Sequence, residues 1–205
     1  MKAKAIKSIF LLSISLLFIS ACSLSPKPQP ALNVYLLQSD ESMKKLSSVQ
    51  NKVLKINAVQ ALLYLKSNEI AYIQNGEFGI YAKHIFKSSP SSAFEALLAY
   101  KLEQSELFKA VLSYNTQANA DLFLESRLHN FEQVFEKDKS FVNTALSVNL
   151  IDAKNNKILA HKHFKFQTNI KEQNINAVIE AFNTALNQLG NEVVFWLENE
   201  IKTAQ

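Results

Sequence analysis

One thiol stands in the whole chain, Cys22, directly after Ile19, Ser20 and Ala21. A lone cysteine has no partner within the chain, so the protein folds without a disulfide and on its core alone. His161 and His163 flank Lys162 on a stretch that alternates like a strand, which points both imidazoles to one face. Two such rings could hold a metal, but zinc wants a third or fourth ligand and none is near in sequence. The core parity of that strand is the opposite one, so a solvated sheet face is expected there. His84 and His129 stand alone and read as structural or surface residues. Glu95, Glu103, Glu125 and Glu132 lie among polar residues on faces expected to be outer. Glycoside chemistry needs two carboxylates across a cleft, and nothing in the sequence pairs these. There is no Gly-x-Ser-x-Gly, no glycine-rich phosphate loop and no zincin motif. These residues predict a protein that is not an enzyme, holds no metal and uses no dissociable cofactor.

The segment before Cys22 has the three parts of a secretory signal. Lys2, Lys4 and Lys7 make a positive start, residues 9–19 form a mostly apolar run, and small residues precede the cysteine. The run is too short for a bilayer, which needs roughly 20 apolar residues. No later segment is long and apolar enough for a membrane helix. Ile19, Ser20, Ala21 and Cys22 together resemble the lipobox cut by the lipoprotein signal peptidase. The resemblance implies that residues 1–21 are removed, that the Cys22 thiol carries diacylglycerol, and that its freed amine is acylated. At about 0.8 kcal/mol per buried methylene, two or three acyl chains make a permanent membrane anchor. Ser23, by the sorting rule of enteric bacteria, implies the inner leaflet of the outer membrane, facing the periplasm; the rule varies among bacteria, and the inner membrane is the alternative. Residues 22–32 carry three of the four prolines and read as an extended tether, at about 3.1 Å per residue.

Removing Lys2, Lys4 and Lys7 lowers the basic count from 22 to 19 against 18 acids, a balance near +1. No basic block points to nucleic acid. Residues 33–201 have the length of one domain with a sizeable core, and fourteen Phe against three Gly suggest a well-filled interior.

Short alternating stretches at 34–37, 53–59, 70–73 and 78–82 predict strands, with Leu54, Ile56 and Ala58 sharing a face and Asn75-Gly76 forming a hairpin turn. Ser88 or Ser89 can cap a helix that starts with Pro90 and lines one side with Phe94, Leu97, Leu98 and Leu102. Alternation resumes at Phe108, and three longer strands follow. In the first of these, apolar parity changes between Leu128 and Phe131, which predicts a bulge near His129 or Asn130. A turn at 152–156 and a long helix over about 174–201 complete the chain. The fold class expected is α+β: a single domain with an antiparallel sheet packed on one side by two helices.

An ordered series of motifs resembles the ABC-type transport auxiliary lipoproteins, the family of paraquat-inducible protein C. It comprises Tyr35-Leu36-Leu37, Glu69-Ile70-Ala71-Tyr72, Ser105-Glu106-Leu107-Phe108-Lys109-Ala110-Val111, Ala120-Asp121-Leu122, Leu128 with Phe131, the strand at 146–150 and a terminal helix with Trp196. Phe86 replaces a tryptophan usual in the family, and Glu106 replaces a common glycine. The resemblance implies a periplasmic, non-catalytic subunit of a lipid transport system. Its implied partner is an MCE-domain protein working with an ABC permease and ATPase, and the ring form of MCE proteins implies a ring-like homo-oligomer of the lipoprotein. The alternative is an outer-membrane lipoprotein that regulates a cell-wall synthase, a class that tends to have longer tethers.

Val193-Val194-Phe195-Trp196-Leu197 puts five apolar residues in a row on the last helix, more than one face can hold. Either that helix is buried on two sides, or Phe195 or Trp196 anchors a neighbouring subunit.

Overall fold

The computed structural model describes residues 31–40, 46, 50–137 and 139–203. The chain divides into Met1–Ala31 and Leu32–Gln205, and the architecture below is that of the second unit. The signal segment 1–21 with Ile19, Ser20 and Ala21, the lipidation site Cys22, and nearly all of the tether lie outside the described residues.

The elements run β1 (Asn33–Tyr35), β2 (Gln50–Ile56), β3 (Gln60–Ala61), a 3-10 turn (Leu63–Lys66), β4 (Glu69–Gln74) and β5 (Glu77–Phe86). Then come α1 (Pro90–Ser105), β6 (Phe108–Leu112), β7 (Leu122–Glu136), β8 (Lys139–Asp152), β9 (Lys157–Asn169) and α2 (Ile175–Thr203). All nine strands join one sheet around β7. One edge of β7 takes β8 along its whole length, and β9 follows β8. The other edge takes β2, β3 and β4 in succession, with Leu54 beside Leu122, Gln60 beside Arg127 and Tyr72 beside Gln133.

The sheet is mixed, which corrects the antiparallel expectation. The pairs β4–β5, β7–β8 and β8–β9 are antiparallel, because short turns connect them. The pairs β1–β5, β2–β6, β2–β7, β3–β7 and β4–β7 are parallel. Parallel neighbours need long crossovers, and the stretch containing α1 supplies one by returning the chain to lay β6 beside β2.

Local signals account for most boundaries. Asn75 and Gly76 both take positive φ, 53° and 80°, as a two-residue type I′ hairpin requires. The Ser89 hydroxyl accepts from the Ser92 amide at 3.3 Å, capping α1 ahead of Pro90. α1 ends at Glu106, which sits in the left-handed region at φ 52°. That conformation is the one a glycine adopts most easily at a helix C-terminus. Pairing on β7 jumps from Leu128–Leu146 to Asn130–Ala145, so the bulge falls at His129. β2 stops at Ile56, and Ala58, expected on its inner face, is exposed.

Both helices cover one face of the sheet and share one core. Phe182 of α2 meets Phe131 of β7 and Phe86 of β5 at ring separations of 5.0 and 5.3 Å. Phe86 is thus a full member of the core, 1 % exposed. Gly190 lets α2 approach α1 closely, since a Cβ there would run into the side chain of Leu97.

Candidate functional site

The apolar run on α2 resolves residue by residue. Val193, Val194, Trp196 and Leu197 are buried, and Phe195 is 45 % exposed. Trp196 meets Phe164 of β9 edge-on at 6.2 Å, and its Nε1 donates to Glu200 at 2.8 Å. Trp196 is therefore a core residue, which corrects its candidacy as an anchor. Its periodicity places it on the sheet side while Phe195, one residue earlier, faces outward.

Phe195 stands at one end of an open groove of about 820 Å³ along α2, with Asn183, Asn187 and Asn191 on its helical side and Gln38 to Asp40 opposite. The chain that follows β1 is strapped across this helix. Asn183 Oδ1 accepts from the Gln38 amide at 2.9 Å, and Asn187 Oδ1 accepts from the Asp40 amide at 2.8 Å. Asn187 Nδ2 donates to the Gln38 carbonyl at 2.8 Å. Lys101 of α1, wholly buried, reaches Asp40 Oδ1 at 2.6 Å. An isolated buried ammonium is costly, and the Asp40 carboxylate is what satisfies it.

Sequence reading missed this strap. Lys101 did carry a signal, since it falls on the same helical stripe as Phe94, Leu97 and Leu98. The asparagines at 183, 187 and 191 recur every four residues and so share one stripe, but nothing local says that they grip the backbone of residues 38–40.

The opposite, helix-free face of the sheet holds His129, His161 and His163. His129 Nε2 and His163 Nδ1 lie 2.8 and 3.1 Å from the Ser147 hydroxyl, and His161 Nδ1 lies 2.7 Å from Asn149 Oδ1. His161 and His163 do share one exposed face. Among the described residues no three metal-ligating side chains come together. Burial, then the neighbouring His163 and Arg127, holds His129 below its ordinary value. His84 pairs with the Tyr35 hydroxyl at 3.1 Å.

Glu132 departs from expectation. It is on the helix-free face, alternating with the core residue Phe131, yet only 1 % exposed. The Tyr64 hydroxyl, the side-chain amides of Asn130 and Asn143, and the Phe131 amide all donate to it at 2.8–2.9 Å. Burial and the Glu132 charge push the Tyr64 hydroxyl well above the usual tyrosine value. Four donors make Glu132 a structural hub, tying the 3-10 turn to the sheet. Glu95 likewise serves the backbone, accepting from the Val59 amide at 2.9 Å.

No curated protein matches the sequence. Among solved structures, the fold is similar to that of a Xanthomonas campestris protein assigned to the family DUF330, at TM-score 0.73 and 17 % identity, covering 84 % of this chain and 98 % of that one. An uncharacterized protein aligns at TM-score 0.61 and 11 % identity, over 82 % of this chain and 99 % of its own. A hypothetical protein of Chlamydia trachomatis aligns at TM-score 0.53 and 10 % identity, over 74 % and 98 %. At these identities the likeness is one of fold. The family profile described as ABC-type transport auxiliary lipoprotein component matches residues 35–194, from β1 through most of α2, and the chain belongs to that family.

Proposed function

We propose that this protein is a non-enzymatic auxiliary subunit of an ABC-type lipid transport system that works between the inner and outer membranes. In this reading, acyl chains on Cys22 hold it to the periplasmic leaflet of the outer membrane. A periplasmic MCE-domain protein docks on the α2 face that presents Phe195, and copies of the lipoprotein form a ring around it. The observation that carries the reading is the family match over residues 35–194, which spans almost the whole folded unit.

The α2 groove supports the choice of face. An aromatic side chain about half exposed, beside a row of carboxamides, combines an apolar anchor with hydrogen-bonding groups, the make-up of a protein-binding surface. The strap over Asn183 and Asn187 couples that surface to the segment that leads from the membrane anchor.

Affinity purification of the full-length lipoprotein from detergent-solubilised membranes, after mild cross-linking, tests the proposal. Recovery of an MCE-domain protein with ABC subunits is the expected result. Recovery of a cell-wall synthase with no MCE-domain protein would overturn it.

A further inference from the structure

The helix-free face of the sheet is polar around the histidines and apolar at the end where the chain enters. The register brings this about. Residues opposite one another in a sheet share a face, and Ile85, Ile80 and Phe78 of β5 stand opposite Glu69, Ala71 and Ile73 of β4. A register shift between Glu69 and Ala71 puts odd-numbered Ile85 and even-numbered Ile80 and Phe78 on the same side. That side is opposite Ile70, a core residue, so it faces away from the helices. β1 extends it, because Val34 stands beside Ile85, and Leu32 and Leu36 alternate with Tyr35 and Leu37, which pack on the core. The Tyr64 ring meets Phe78 at 5.3 Å, and the exposed Leu62 and Leu63 immediately precede Tyr64 in the chain. Leu32, Val34, Leu36, Leu62, Leu63, Phe78 and Ile80 are each between 42 and 86 % exposed. Leu32, Val34, Leu36, Ile80 and Phe78 run along the β1–β5 side of this face, with Glu69 and Lys83 between the Val34 and Phe78 ends, and exposed apolar groups gathered in this way mark a binding surface.

Two observations select the occupant. Nine residues separate Cys22 from Leu32, and a chain of that length reaches at most about 30 Å. The patch begins on β1, the strand that this chain enters, so a membrane holding Cys22 is always within reach of it. Its rim is also cationic. Exposed Lys66 ends the 3-10 turn, exposed Lys83 lies one position before the Asn33–His84 pair, and the Lys87 amide donates to the Tyr35 carbonyl at 2.7 Å. Two acids, Glu69 and Glu77, share that end. Apolar side chains bordered by three lysines against two acids suit the acyl–headgroup boundary of a bilayer containing anionic lipid.

From this we infer that the apolar end of the helix-free sheet face, centred on Val34, Leu63 and Phe78, seats the domain on the surface of the membrane that anchors it. The inference rests on the lipid anchor at Cys22 and adds to it a fixed orientation: sheet toward lipid, helices and Phe195 toward the periplasm.

The test uses the full-length lipoprotein reconstituted into vesicles of phosphatidylethanolamine and phosphatidylglycerol, with an environment-sensitive fluorophore on Val34→Cys, Leu63→Cys or Phe78→Cys. Gln188→Cys, exposed on α2, is the reference. Trp196, the single tryptophan, is buried, and its blue-shifted emission reports that each labelled protein is folded; Ile80→Cys replaces any site that loses it. Brominated acyl chains are expected to quench the three patch sites at least about twofold more than Gln188→Cys. Equal quenching at all sites, with the lipid mass present on the Cys22 peptide, overturns the seat and leaves the anchor standing. Cross-linking of Phe78→Cys to a second copy without quenching overturns it and gives the patch to a subunit interface. An unmodified Cys22 overturns the anchor and the seat together.

Discussion

The ammonium of Lys101, buried about one turn from the end of α1, lies 2.6 Å from the carboxylate of Asp40, on the segment that follows β1. The pair fastens the segment that follows β1 to the helical layer. Asn183 and Asn187 add three hydrogen bonds to the same short segment.

Asp40→Asn leaves the Lys101 charge buried without a counter-ion. The expected loss is about 2 kcal/mol, less than the ~3–5 of a wholly buried pair, because water screens the half-exposed Asp40. Urea unfolding measures it. Lys101→Met in the same background should recover most of the loss, and no recovery would show that the ion pair is not its source.

Gly190→Ala sets a gain in helix propensity of about 1 kcal/mol against crowding of Leu97, which costs about 1–3 kcal/mol in a packed core. The expected net effect is destabilising by about 1 kcal/mol. Leu97→Val should relieve it, and a double-mutant cycle showing no coupling between the two positions would refute this account of the helix contact.

Tyr64→Phe removes one of the four donors to buried Glu132. A hydrogen bond to a charged group contributes about 1.5–3 kcal/mol, so a loss within that range is expected on thermal or urea unfolding. Hydrogen exchange should also rise in the 3-10 turn that carries Leu63. Unchanged exchange would mean that Glu132 does not hold the turn.

His129 is held below its ordinary value of 6.5, chiefly by burial. The unfolded chain therefore binds the proton more readily than the folded one. The contribution is fully present above about pH 6.5 and is lost as pH falls through the folded value. The urea midpoint is expected to drop between about pH 7 and pH 5, and His129→Gln should flatten that slope. A slope unchanged by the substitution would assign it to other groups.

Phe195→Ser should lower recovery of the cross-linked MCE-domain partner at least about tenfold, as expected for a buried aromatic anchor, and leave the melting temperature within about 2 °C. Full recovery with the variant would place the docking surface elsewhere.

Much of the secondary structure was legible because its causes are local. The hairpin at Asn75-Gly76 follows from the ease with which those residues take positive φ, and the cap at Ser89 from a hydroxyl two to three residues ahead of an orphan amide. The bulge at His129 was readable from the change of parity between Leu128 and Phe131. Glu132 was not readable in this way. Alternation assigned it to the outer face correctly, but alternation carries no information about Tyr64, sixty-eight residues earlier, folding over that face.

The sequence by itself determined the kinds of element, their order, most of their ends and the residues that each strand or helix turns inward, because backbone propensity and side-chain period act over a few residues. Only the tertiary structure decided that β2, β3 and β4 line up in parallel along one edge of β7, and that a shift in β5 merges two apolar sets into one exposed patch. It also decided that Trp196 is core while Phe195 is surface, and that Asn187 holds the backbone of residues 38–40. Strand neighbours, register and the partners of buried polar groups join residues far apart in the chain. They are settled by how the whole core packs, and no short stretch of sequence contains that information.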